Sequence, residues 1–177
     1  MATLAVVLAT ASGGQADWKG NFDVTGVTLP ALAQGLWQQG DWHARPDNQS
    51  VRFVCTAAER CPVPTAIEIK GVLRTENLPT AFQRGPLSPD ELTRQGELNA
   101  QRIGSRFLGA VPIKIGGIDG VQMTAASGTE GMAIHYLTTW LGKGDRMLDV
   151  KITSPDLALA RHLATEVLAP LVQQVFK

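Results

Sequence analysis

Two spacings of apolar residues divide the chain. Between Thr65 and Leu73, Ile67, Ile69 and Gly71 alternate with Glu68, Lys70 and Val72. Such alternation marks a strand with one buried face. Val51 to Cys55 reads as the strand before it, so Asp47 to Leu73 is expected to form a hairpin. Further strands are expected over Val111 to Ile115, Val121 to Ala126, Met132 to Leu141 and Arg146 to Thr153. In the last of these, Leu148, Val150 and Ile152 mark the core face. Pro112 restricts its strand to an edge or a strand start, because proline has no N–H for a second neighbour. Gly116 to Gly120 and Gly142 to Asp145 read as turns, the second a tight hairpin.

The other spacing, three and four residues, marks two helices. Ser88, Pro89 and Glu91 form a start signal, with Ser88 as cap and Glu91 completing a capping box. Leu92, Gly96, Ala100, Ile103 and Phe107 follow on one face, and Gly109 is expected to end the helix. Arg94, Gln101 and Arg102 point elsewhere, as a solvated face. A second start, Ser154 to Asp156, opens a terminal helix striped by Leu157, Ala160, Ala164, Val167, Leu168, Leu171 and Val175. Pro170 lies inside that stripe and predicts a kink. Asn77 to Pro86, with two prolines, reads as a loop. The expected class is α+β: a mainly antiparallel sheet with helices packed on it, in the order ββ-α-βββ-α.

The ends of the chain are less patterned. Leu4 to Ala11 is a short apolar run, followed by Gly14, Gln15 and Ala16, a small-x-small site. Residues 1–16 therefore read as a signal peptide or its remnant, although no Lys or Arg precedes the run. The competing reading is a first strand, Leu4 to Leu8. Residues 17–46 read as an irregular segment with room for a turn or two of helix near Leu29 to Trp37, and 47–177 as a single α/β domain. No apolar run approaches the ~20 residues of a membrane span.

Composition narrows the function classes. Hydrophobic residues are 44% of the chain and charged residues 18%, enough apolar material for a core. Lys+Arg and Asp+Glu are balanced at 16 each, and no basic run occurs, which argues against nucleic acid or anionic lipid as main partner. The two cysteines, Cys55 and Cys61, stand at the shoulders of the expected hairpin loop. Bridging distance is within reach there, and an exported protein would oxidise the pair. Free buried thiols, a redox pair and a metal site are the competing readings, the last two disfavoured by spacing.

Chemistry-bearing motifs are few. His135 lies on an expected strand, with Ser127, Asp145 and Asp149 nearby in sequence, but no Gly-x-Ser-x-Gly elbow accompanies them. The glycine-rich turns match no phosphate loop, and no cofactor motif stands out. Trp37, Trp42 and Trp140, with His135, are the candidate binding surface; burial in the core is the competing reading for the tryptophans.

Val121 to Ala125 after Ile115 to Gly120, a long hairpin through Gly142 to Gly144, and a Ser-initiated terminal helix ending Leu171 to Phe176 resemble the PsbP-like family of α/β/α sandwich domains. The resemblance spans roughly Leu29 to Phe176. It implies a non-enzymatic accessory or binding role, typical of exported bacterial proteins, and carries over no specific site. The expected function is a periplasmic or secreted binding or accessory protein, with another exported or envelope protein as partner. Two alternatives remain: a small hydrolase using His135 with Ser127 or Asp149, and a periplasmic metal carrier using His43 and the two thiols.

Overall fold

In the computed structural model, residues 18–177 are described except 48, 56–58, 62, 75–88, 103 and 130–131. The candidate leader 1–16 and the expected loop 77–86 lie outside the described residues, as does the Ser88 cap.

The strands are β1 (Trp18–Phe22), β2 (Trp42–Asp47), β3 (Ser50–Cys55), β4 (Ala66–Arg74), β5 (Arg106–Ile115), β6 (Ile118–Ser127), β7 (Ile134–Lys143) and β8 (Arg146–Ser154). Among the described residues two α-helices accompany them, α1 (Pro89–Arg102) and α2 (Leu157–Val175), with two short 3-10 turns at Pro30–Ala33 and Gly35–Trp37. The order is therefore ββββ-α-ββββ-α. The expected order ββ-α-βββ-α is shorter: β1 and all but the last residue of β2 lie in the stretch expected to be irregular, and the four stretches expected as strands after the helix form β5 to β8, one strand more than that order allows. The class, α+β on a mainly antiparallel sheet, stands.

All eight strands join one antiparallel sheet in the order β2-β3-β4-β8-β7-β6-β5. β1 pairs with β4 over Gly71 to Arg74, just beyond the stretch that β3 occupies. The sheet consists of two meanders, β2 to β4 and β5 to β8. The chain segment containing α1 carries the first to the far edge, and β8 closes the sheet by pairing with β4.

Register assigns the faces. Ile67, Ile152 and Leu137 are paired across β4, β8 and β7, and Ile69 is paired with Val150 in the next row. These side chains are buried together with Leu163, Val167 and Leu171 of α2. The expected core face of β8 and the expected stripe of α2 are thus one contact. On the other face, Phe107 of β5 sits under Gly96 of α1. The two helices therefore cover opposite faces of the sheet.

α1 ends earlier than its apolar spacing suggests. Gly104, at φ +65°, stops it rather than Gly109. Ser105 N–H donates to Ala100 O at 2.8 Å and Gly104 N–H to Gln101 O at 3.1 Å, the paired bonds of a left-handed glycine cap. Phe107 then belongs to β5 and reaches back to α1 from the strand. Pro112 does lie on an edge strand, since β5 has β6 alone as partner among the described residues.

α2 opens on Asp156, whose Oδ1 accepts from Leu159 N–H at 3.0 Å. Ser154, expected as the start, is the last residue of β8, and its Oγ accepts from Asp156 N–H at 3.1 Å. The helix continues through Pro170 to Val175.

Candidate functional site

The hairpin of β3 and β4 carries the two cysteines. Cys55 and Cys61 form a disulfide with their Cα atoms 5.9 Å apart. The bridge closes a six-residue separation, so it pins one hairpin mouth and crosses no layer of the fold. His43 is exposed and pairs with Asp41 at 3.0 Å.

The tryptophans do not form a surface with His135. Trp37 is fully buried, held by the α2 core and by its Nε1–H donating to Glu166 Oε2 at 3.0 Å. Trp42 packs edge-on against it, ring centroids 6.1 Å apart. Trp140 pairs with Asp149 and Val121 on the opposite face of the sheet. The expectation of a shared Trp37, Trp42, Trp140 and His135 surface is corrected: two of the tryptophans build the α2 side, the third lines the other side, and His135 stands apart from all three.

Nor are the expected catalytic groups hydrogen-bonded to one another among the described residues. Ala126 and Ser154 are the register partners of His135, so they share its face. Ser127, one residue on, belongs to the opposite face, where its Oγ lies 3.0 Å from Tyr136 Oη. Asp149 is separated from His135 by the same parity.

Asp149 has its own environment. Its Oδ1 and the Trp140 Nε1 are both shut off from solvent without a hydrogen-bond partner among the described residues. Burial drives the Asp149 carboxyl up to about 6, with Lys70, Lys151 and the nearby indole of Trp140 opposing and Glu68 reinforcing. The indole favours the charge by proximity while staying outside hydrogen-bond geometry. Glu68 bridges Lys70 at 2.7 Å and Lys151 at 3.3 Å. Its own burial pushes Glu68 up, but the two lysines together outweigh that and hold it below the usual range.

His135 lines an opening at one end of the sheet. Arg106, Ala126 and His135 are in register across β5, β6 and β7. Ala126 contributes only a methyl, so a gap is left between the longer side chains. The result is a cleft of about 680 Å³ lined by Gly104, Arg106, Ala126, Ser127, Gly128, Thr129, Ala133 and His135. A second opening, about 460 Å³, adjoins it through Ala133 and His135 and is walled by Pro64, Met132, Ile134 and Pro155. Met132 is 77% exposed there. His135 Nδ1 is sealed from solvent and has no hydrogen-bond partner among the described residues. Arg106 is hidden in the sequence because the helical spacing continues through Phe107, which leaves Arg106 no place on a strand.

The arrangement defines an α+β domain with a disulfide-pinned hairpin and an open histidine–arginine cleft at one end of its sheet. No protein-family model and no curated protein matches the chain. Among solved structures, it is similar to a Bacteroides thetaiotaomicron protein at 19% identity and TM-score 0.45, over 73% of this chain and 40% of that one. It is also similar to the Pseudomonas aeruginosa protein of unknown function PA94 at 18% identity and TM-score 0.46, over 68% of this chain and 78% of that one. The chain thus spans well under half the length of the Bacteroides protein.

Proposed function

We propose that the chain is an exported, non-catalytic binding or accessory protein of the PsbP-like sandwich type, working in the periplasm or outside the cell with another exported or envelope protein. The observation that carries this reading is the parity of the sheet around His135. A hydrolytic site needs the nucleophile and base within hydrogen-bond reach. Here Ser127 borders the same cleft as His135, but its hydroxyl is engaged with Tyr136 at 3.0 Å, and Asp149 is on the far face. The placement of α1 and α2 on opposite faces supports the sandwich resemblance. The disulfide supports export, because such bridges persist in oxidising compartments. It also removes both thiolates that a metal carrier would use.

Two measurements test the proposal. Purified protein is expected to turn over no fluorogenic ester, phosphoester or peptide above buffer. Turnover abolished by both S127A and H135A would replace the binding reading with the hydrolase. Protein recovered from its native cells is expected in the envelope or medium with Cys55 and Cys61 oxidised. Recovery from the cytosol with both thiols alkylatable would overturn the export half.

A further inference from the structure

We infer that the cleft between Arg106 and His135 binds a carboxylate whose bearer carries a short apolar group. The inference deepens the binding reading above and rests on it.

Four observations converge on the same end of the sheet. Arg106 and His135 flank Ala126 in one row, with one strand between them. Strands are spaced about 4.8 Å apart, so their backbones stand roughly 10 Å apart. That gap suits a small planar anion approached from both sides. A guanidinium presents a fixed positive charge and a planar fork of donors, which matches a carboxylate.

The second observation is the imidazole itself. Its Nδ1 is enclosed without a hydrogen-bond partner among the described residues, so the exposed part of the ring is the remainder, which lines both openings. Polar groups left unsatisfied in this way are uncommon and often mark a working site. Third, Gly128 and Thr129 line the same cleft and bring small, polar surface beside Arg106. Fourth, the adjoining opening is apolar. Met132, Ile134, Pro64 and Pro155 wall it, and Met132 is the most exposed large apolar residue described, at 77%. Thioether side chains adapt to varied apolar shapes. A ligand with its charge on Arg106 and an apolar arm across His135 would fill both openings at once.

Two sources present that chemistry: a free short-chain acid and the C-terminus of a peptide. Isovalerate and N-acetyl-Ala-Ala-Val serve as probes, with the C-terminal amide of the same peptide and plain acetate as controls. The oxidised full chain is titrated while the His135 imidazole and Arg106 Nε signals are followed by NMR. At least one of the two acids is expected to saturate both signals at roughly millimolar or lower concentration, and the one that binds more tightly identifies the source. The amide is expected not to bind. R106Q is expected to weaken binding roughly tenfold or more, as for loss of a charge-assisted hydrogen bond. M132S is expected to weaken the apolar acids and leave acetate unchanged. Both variants alter exposed side chains, and an unchanged thermal melt confirms that they fold.

Equal binding of amide and acid, full affinity in R106Q, or no saturation by either acid would each overturn the carboxylate site. Failure of both acids leaves the absence of turnover and the export result untouched. Recovery of the chain from a reducing compartment would sink the export reading while leaving these titrations as they stand.

Discussion

Asp149 is the residue at which charge and burial are most at odds. It stands between Lys70 and Trp140 in a row across β4, β8 and β7, and burial outweighs the cations around it. The ordinary carboxyl value is 3.8, and here it is about 6. The folded protein therefore takes up this proton before the unfolded chain does as pH falls. Stability from this group is fully present below pH 3.8 and is lost as pH rises through about 6. The full swing corresponds to about 3 kcal/mol. Glu68 works in the opposite sense: its carboxyl is held below 4.5, so its contribution is present above that value and lost under acid. The two windows separate, and Asp149 governs the range between about 4 and 7. D149N should flatten that slope and equal or exceed the parent protein in stability at pH 7. Urea unfolding of both proteins at pH 4, 5.5 and 7 reads this directly. A parent slope that survives in D149N would assign it to another group.

Among the elements, α1 shows how a fold can be half legible in its sequence. Gly96 and Ala100 stand on the expected apolar face of the helix, and both are buried. The end of the helix was not legible. Phe107 continues the spacing of Ala100 and Ile103, so periodicity cannot distinguish a helix residue from a strand residue that reaches back. Arg106 was lost for the same reason, and with it half of the cleft. β2 was missed on different grounds: Trp42 to Asp47 is an edge strand exposed over most of its length, with Pro46 inside it and no apolar alternation. By contrast, β4 and β8 were legible because their inner faces are continuous rows of Ile, Val and Leu. The Gly96 contact makes a prediction that runs against helix propensity. Alanine normally stabilises a helix interior by about 1 kcal/mol over glycine. A Cβ at Gly96 would run into the Phe107 ring, and overpacking of this kind costs about 1–3 kcal/mol. G96A should therefore destabilise the protein, and adding F107A to it should cost less than the separate effects of the two changes suggest. Denaturant midpoints for the two single variants and the double variant test this. A stabilised G96A would show that α1 does not sit on β5.

At the scale of the whole molecule, the N-terminal stretch is the part least legible in the sequence. Its residue pattern is irregular, yet Val24, Leu29, Leu32 and Trp37 belong to the same buried cluster as α2 and the inner face of the sheet. Nothing local in the sequence reveals this, because its contacts are distant: Trp37 bonds Glu166 across 129 residues, and Thr28 exchanges bonds with Gln174 across 146. α2 is consequently held on two sides, by the sheet and by this strap. The strap is expected to unfold with the sheet rather than ahead of it. W37A removes the largest fully buried side chain, a change that typically costs about 3–5 kcal/mol, a large share of the ~5–15 kcal/mol that holds a domain folded. W37F, which keeps most of the packing and loses the bond to Glu166, should cost about 1–3 kcal/mol. Hydrogen exchange gives the sharper test. The amides of Leu32 and Gln34, which donate to Leu29 and Ala31 at 3.0 and 3.1 Å, should lose protection together with those of β8 as urea rises. Exchange of the strap well before β8, with W37A unfolding at the parent midpoint, would mean that α2 is held by the sheet alone.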